Sequence, residues 1–272
     1  MPRSKAPALL LAPAVIIAII AVALPPIPQP LSYHQFADQR AWLGIPNFGD
    51  VVSNLPFAIV GICGLIFLLR PSAQSRFADP RERWFYIRWI YMLMFAGLLL
   101  TAFGSSYYHR NPNNATLVWD RLPMTLGFMS LLAAMIGERI SLRAGLASLA
   151  PLLAFGLFSV VYWDVTESRG HGDLRLYALT QFGSLLVLLL LLALFPARYT
   201  RGPDFMVALG FYVLAKALEV LDRRVFHATR GAMSGHALKH IAAAFAAYWI
   251  LRMLKLRAPV PAPLPSGAGA KA

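Results

Sequence analysis

The chain alternates between long apolar runs and short polar breaks. A helix needs about 20 predominantly apolar residues to cross a bilayer. Runs of that order fall at residues 8–24, 52–70, 84–106, 117–137, 144–163, 175–195, 204–222 and 234–254, and each predicts a membrane-spanning helix. The breaks between them read PPIPQP at 25–30, RPS at 70–72, NPNN at 111–114, ESRGHGD at 167–173 and RGP at 201–203. Proline, glycine and asparagine stop helices and turn the chain. The predicted fold class is therefore all-α, a polytopic transmembrane helix bundle with a seven-helix core and one extra N-terminal helix. Residues 1–30 carry the extra helix, 31–51 form an outer loop and 52–257 form the seven-helix domain. Residues 258–272, rich in Pro, Ala and Gly, have nothing to bury and read as a disordered tail. The first run follows Arg3 and Lys5 like a signal peptide, but no small-x-small cleavage site follows it, which favours an uncleaved helix.

Composition agrees with this reading. Of 272 residues 58% are hydrophobic and 14% charged. The mean hydropathy is +0.59. The net charge is +13. Basic residues can signal nucleic acid, but here they sit in short inter-helix loops, where they orient the spans and predict no nucleic-acid partner. Most of the 25 basic residues, among them Arg70, Arg76, Arg139, Arg198 and Arg257, fall in loops that are cytoplasmic if both termini are inside. The expected location is a bacterial inner membrane, crossed several times, with both termini inside. A lone cysteine, Cys63, excludes a disulfide framework and reads as a small core residue.

Five polar residues sit at the edges of apolar runs. They are Ser105 and His109 in GSSYYH, Asp120 in WDRLPM, and His236 and His240 in GHALKH. Ser105 and His109 are four apart, as are His236 and His240, so each pair shares one face of a helix. Hydropathy puts all five at one depth, and the loop charge bias puts that depth on the outer side. Three histidines with an open fourth position are a catalytic zinc set. Zinc lowers the pKa of bound water to near 7. Asp120 is then the candidate general base, and Ser105 the candidate donor to a developing oxyanion. Ionisable groups within a membrane are costly and tend to be functional.

Other polar residues have plainer readings. Lys216 and Glu219, three apart, predict an ion pair on one helix face. Asp222 could orient a ligand histidine. His34, His171 and His227 read as solvated loop residues. Trp42, Trp84, Trp119 and Trp163 read as an interfacial aromatic belt. Tyr107 and Tyr108 divide between that belt and a cavity wall.

The pattern G-S-x-x-x-H, then D-x-L-P-M eleven residues after the histidine, then G-H-x-x-x-H, resembles the alkaline ceramidase family. That family belongs to the CREST superfamily of seven-helix membrane hydrolases. Here the pieces are Gly104-Ser105…His109, Asp120-Arg121-Leu122-Pro123-Met124 and Gly235-His236…His240. Val52-Ser53-Asn54-Leu55 resembles the family's first-helix start, and the likeness spans about residues 47 to 254. It implies a zinc ion held by His109, His236 and His240, with Asp120 and Ser105 acting on water and the substrate carbonyl. It implies hydrolysis of a ceramide-like lipid, drawn from the bilayer, to a sphingoid base and a fatty acid. It also raises calcium, with Asp38 and Asp50 as oxygen ligands, although Asn47 stands near the place of the family's glutamate. A metal-holding receptor without turnover and a histidine-relay transporter remain as alternative classes.

Overall fold

Each polar break in the sequence becomes a helix end. The computed structural model describes residue 19, residues 23–77 and residues 85–260. Its principal helices are α1 (Phe48–Leu69), α2 (Phe85–Arg110), α3 (Asn114–Arg139), α4 (Leu142–Ser168), α5 (Arg175–Leu194), α6 (Asp204–Val220) and α7 (Gly235–Leu256). A short helix, Asp222–Ala228, joins α6 to α7. Side-chain caps explain several starts. The Asn113 carboxamide accepts from the Thr116 amide, and the Thr116 hydroxyl accepts from the Asn113 amide, a reciprocal box opening α3. The Ser141 hydroxyl accepts from the Ala144 amide at the start of α4 and that of Ser234 from the Ala237 amide at the start of α7, one bond each. Each bond satisfies an amide that the first helical turn leaves without a partner.

The all-α membrane bundle is as predicted. Five helices are long and apolar enough to cross a bilayer: α1, α2 from Tyr86, α4, α5 and α7. The other two predicted spans form helices but fall short of that criterion, each for its own reason. α3 carries Asp120, Arg121, Glu138 and Arg139, and α6 has only 17 residues, Lys216 and Glu219 among them. Both are held by neighbours: α3 packs along α2 and α4, and α6 along α7.

Several expectations need correction. The predicted extra helix lies almost wholly outside the described residues, as do Trp84 and the tail beyond Val260. Residues 258–260, placed in the tail by the sequence, pair with the 198–200 segment: Thr200 donates to the Ala258 carbonyl and Val260 to that of Arg198. Cys63 is exposed on α1 rather than buried in the core. Trp163 is fully buried, not interfacial, whereas Trp42 and Trp119 are exposed. The end of the bundle away from the histidines is locked by Arg257, which donates to Glu138 at 2.6 Å and stacks on Tyr199 at 4.0 Å.

Candidate metal centre

Two glycines let the helices carrying the five polar residues meet. A Cβ on Gly104 would overlap the carbonyl of Trp119. That carbonyl has no helical partner, because the residue four positions on is Pro123, which has no N–H to donate. The glycine of G-S-x-x-x-H and the proline of D-x-L-P-M are thus two halves of one contact. It seats Ser105 of α2 beside Asp120 of α3. A Cβ on Gly235 would stand 2.7 Å from the Asp222 Cα, so glycine is also needed where α7 starts against the end of α6.

His109, His236 and His240 are all buried. Their ring centroids lie 4.7, 4.8 and 4.9 Å apart, and their ligand nitrogens lie within 4.8 Å of one another. The Nε2 atoms of His109 and His236 are 3.3 Å apart. Tetrahedral ligation with bonds near 2.0–2.1 Å puts ligand nitrogens about 3.3 Å from each other. The donor set therefore fits a metal ion, and among the described residues it is the group of three that can hold one. His240 is oriented from behind: its Nδ1 lies 2.8 Å from the Ser53 hydroxyl, which donates onward to the Asp50 carbonyl. That bond turns Nε2 toward the other two rings, the usual way a ligand histidine is fixed. Ser53 stood in the sequence only as part of a family likeness, with no role.

Lys239 is a second partner that the spacing did not suggest. Its ammonium lies 2.8 Å from His236 Nε2 and 3.1 Å from Glu219. Glu219 also pairs with Lys216, as the three-residue spacing predicted. One lone pair on His236 serves either the lysine or a metal, so metal loading leaves Lys239 to Glu219.

The loop before α1 covers the site. Phe36 packs its ring 4.7 Å from His109 and 4.4 Å from His236. His34 is not a solvated loop residue: its ring nitrogens engage the Tyr108 hydroxyl at 2.9 Å and Asn114 at 2.8 Å. His171 and His227 are exposed, the latter on the short helix rather than a loop. Burial pushes the Tyr33 phenol well above its ordinary pKa, so it stays a donor to Glu219. Asp222 holds backbone rather than an imidazole, accepting from the amides of His236 and Ala37, both at 2.8 Å. Asn47 donates to the His109 carbonyl at 2.8 Å. Of the two carboxylates raised for calcium, both Asp38 oxygens bond Arg40, while Asp50 Oδ1 accepts from Ser234 at 2.9 Å and its buried Oδ2 has no partner among the described residues.

A cavity of about 430 Å³ runs down the bundle from this end. Ser105, Asp120, Lys239 and His240 line its polar end, and Leu131, Leu188 and Ile250 its far end. Ser105 is the cavity serine; Ser106 instead donates to the Val51 carbonyl. Neither Tyr107 nor Tyr108 lines it, since Tyr107 is exposed and Tyr108 is buried under the cap. No protein-family model matches the chain, and no curated protein matches it. What the site can do therefore rests on its own geometry: three neutral nitrogen donors, a carboxylate and a hydroxyl at the polar mouth of an apolar cavity.

Proposed function

We propose that this protein is a metal-dependent membrane amidohydrolase of the alkaline ceramidase kind, cleaving the N-acyl bond of a ceramide-like lipid. The observation that carries this reading is the junction of the histidine trio with the cavity. His240, Ser105 and Asp120 face the same space as a long apolar wall, the arrangement that places a lipid's polar linkage at reactive groups and its tail in the bundle. His109, His236 and His240 would hold the ion. When bound, such an ion supplies Lewis acidity and a nucleophilic water at neutral pH.

The chain's own residues supply the rest. Asp120 takes the proton of the attacking water and returns it to the leaving nitrogen, so one water is consumed per amide and an amine and a fatty acid are released. Ser105, one helical turn before His109 and within side-chain reach of Asp120, donates to the amide oxygen as charge develops there. Ser53 keeps His240 oriented through turnover. Loop charge bias supports an orientation with the histidine end outward, and the preference for Arg over Lys supports a bacterial inner membrane. Arg76, Arg139, Arg198 and Arg257 gather at the opposite end, around Glu138 and Ile140.

The deciding test is metal analysis of the purified protein, with mass spectrometry of fatty acid released from N-acyl lipids. His236→Ala is expected to lose the metal. Asp120→Asn is expected to keep it while turnover falls by about 10²- to 10⁴-fold. Full activity after metal removal would overturn the reading. Tight metal without release from any N-acyl lipid would favour the receptor alternative.

A further inference from the structure

Arg121 follows the proposed base in sequence but faces another part of the cavity wall. It is 5% exposed. Its guanidinium lies 4.2 Å from the Trp163 ring and 4.6 Å from Tyr177, with Tyr33 at 5.9 Å. Nη2 donates to the Gln29 side-chain oxygen. Nη1 is buried and has no partner. No carboxylate forms a salt bridge with Arg121 among the described residues. The acids nearest in the cavity are Glu219, which is shared by Lys216 and Lys239, and Asp120, which faces Ser105 and feels the Arg121 charge without forming an ion pair with it. The lining thus holds three cationic side chains, Arg121, Lys216 and Lys239, against two carboxylates, Asp120 and Glu219.

A buried arginine without a paired carboxylate inside a membrane protein is expensive, even with aromatic faces around it. The fork of a guanidinium matches carboxylate and phosphate oxygens, and no neutral hydroxyl or amide supplies the missing charge. Gln29, Tyr33, Arg121 and Tyr177 all line the large cavity. We propose that they form a headgroup subsite for an oxyanion, so that the preferred lipid carries a carboxylate or phosphate on the amine side of its amide. The proposal takes the lipid class from the hydrolase reading, but the subsite stands on Arg121 alone. Its ligand chemistry differs from that of a plain ceramide, whose headgroup is uncharged.

The test uses the purified full chain in mild detergent and three lipids with one acyl chain: an N-acylethanolamine, an N-acylglycine and an N-acylethanolamine phosphate. Binding is read by native mass spectrometry. At least one anionic lipid is expected to bind about tenfold or more tighter than the neutral one, the usual scale of a buried charged hydrogen bond. Which of the two wins names the oxyanion. Arg121→Gln is expected to narrow the gap to under about twofold, and Arg121→Lys to leave an intermediate gap. Equal affinities in the wild type overturn the proposal whether or not the variants fold, and so does a preference that survives in Arg121→Gln. Fatty acid release is measured on the same samples. Preference without release sinks the hydrolase reading and keeps the subsite; release without preference does the reverse.

Discussion

Two arginines are buried at opposite ends of this bundle in nearly the same aromatic surroundings. Arg257 lies 4.0 Å from Tyr199, 4.4 Å from Phe77 and 5.5 Å from Tyr91; Arg121 lies 4.2 Å from Trp163 and 4.6 Å from Tyr177. Each leaves one terminal nitrogen without a partner. They differ in two respects. Arg257 has Glu138 at 2.6 Å and faces a space of about 10 Å³, while Arg121 pairs with no carboxylate among the described residues and faces about 430 Å³. Aromatic faces strip water from either charge equally well, so they do not tell the two roles apart. The counter-charge and the adjoining volume do: one arginine is complete within the fold and the other is completed from outside it.

This contrast can be broken most forcefully at Glu138. Glu138→Ala leaves Arg257 buried and unpaired, and is expected to cost about 3–5 kcal/mol in thermal unfolding in detergent. Replacing both partners, Glu138→Leu with Arg257→Met, is expected to recover most of that loss, because an apolar pair needs no desolvation of charge. Arg121→Met strands no carboxylate, only the neutral side-chain oxygen of Gln29, and is expected to cost less than about 2 kcal/mol. A loss as large as that of Glu138→Ala would make Arg121 a structural arginine after all.

The mildest case is Arg40, exposed, paired with Asp38 at 2.7 Å. Its guanidinium holds the Asp38 carboxyl below the usual carboxylate range. Because the folded-state value is depressed, this stabilisation is present above about pH 4. It fades as pH falls through the folded value. Melts between about pH 2 and 7 are expected to show Arg40→Ala slightly less stable than the wild type at neutral pH, with the gap closing as pH falls through the folded Asp38 value.

Hydropathy placed the helix ends within a few residues, and the four-residue spacings placed the histidine pairs on one face each. Those are local signals, carried by consecutive positions. α3 was harder to grade, since Asp120, Arg121, Glu138 and Arg139 lower its apolarity while tertiary packing gives them places inside the bundle. Ser53, Phe36 and Lys239 were not legible as site residues. Each reaches the histidines through a tertiary contact or lies beside them in an unremarked motif position, and nothing in their own neighbourhood marks it. Arg121 occupies the variable place in D-x-L-P-M, where a charged residue reads as a helix-end arginine until Trp163 and Tyr177 close around it. The glycine and proline of the motifs were visible as letters; that Gly104 and Pro123 serve one contact needed both helices.

The cavity also acts as a ruler. From Ser105 to Met94 on α2, Asp120 to Leu131 on α3 and Lys239 to Ile250 on α7, the lining spans the same eleven residues, about 16 Å of helix each. On the proposed reading, a lipid tail lying along it gains about 0.8 kcal/mol per methylene, roughly fourfold in affinity, as far as Leu131, Leu188 and Ile250. Past that point each added carbon must displace packed side chains, at a cost of about 1–3 kcal/mol. In the proposed reaction, chain length would thus be selected about 16 Å of helix away from Ser105, Asp120 and Lys239. Leu131 or Ile250 could be trimmed to admit longer tails while every group at the polar end stays in place.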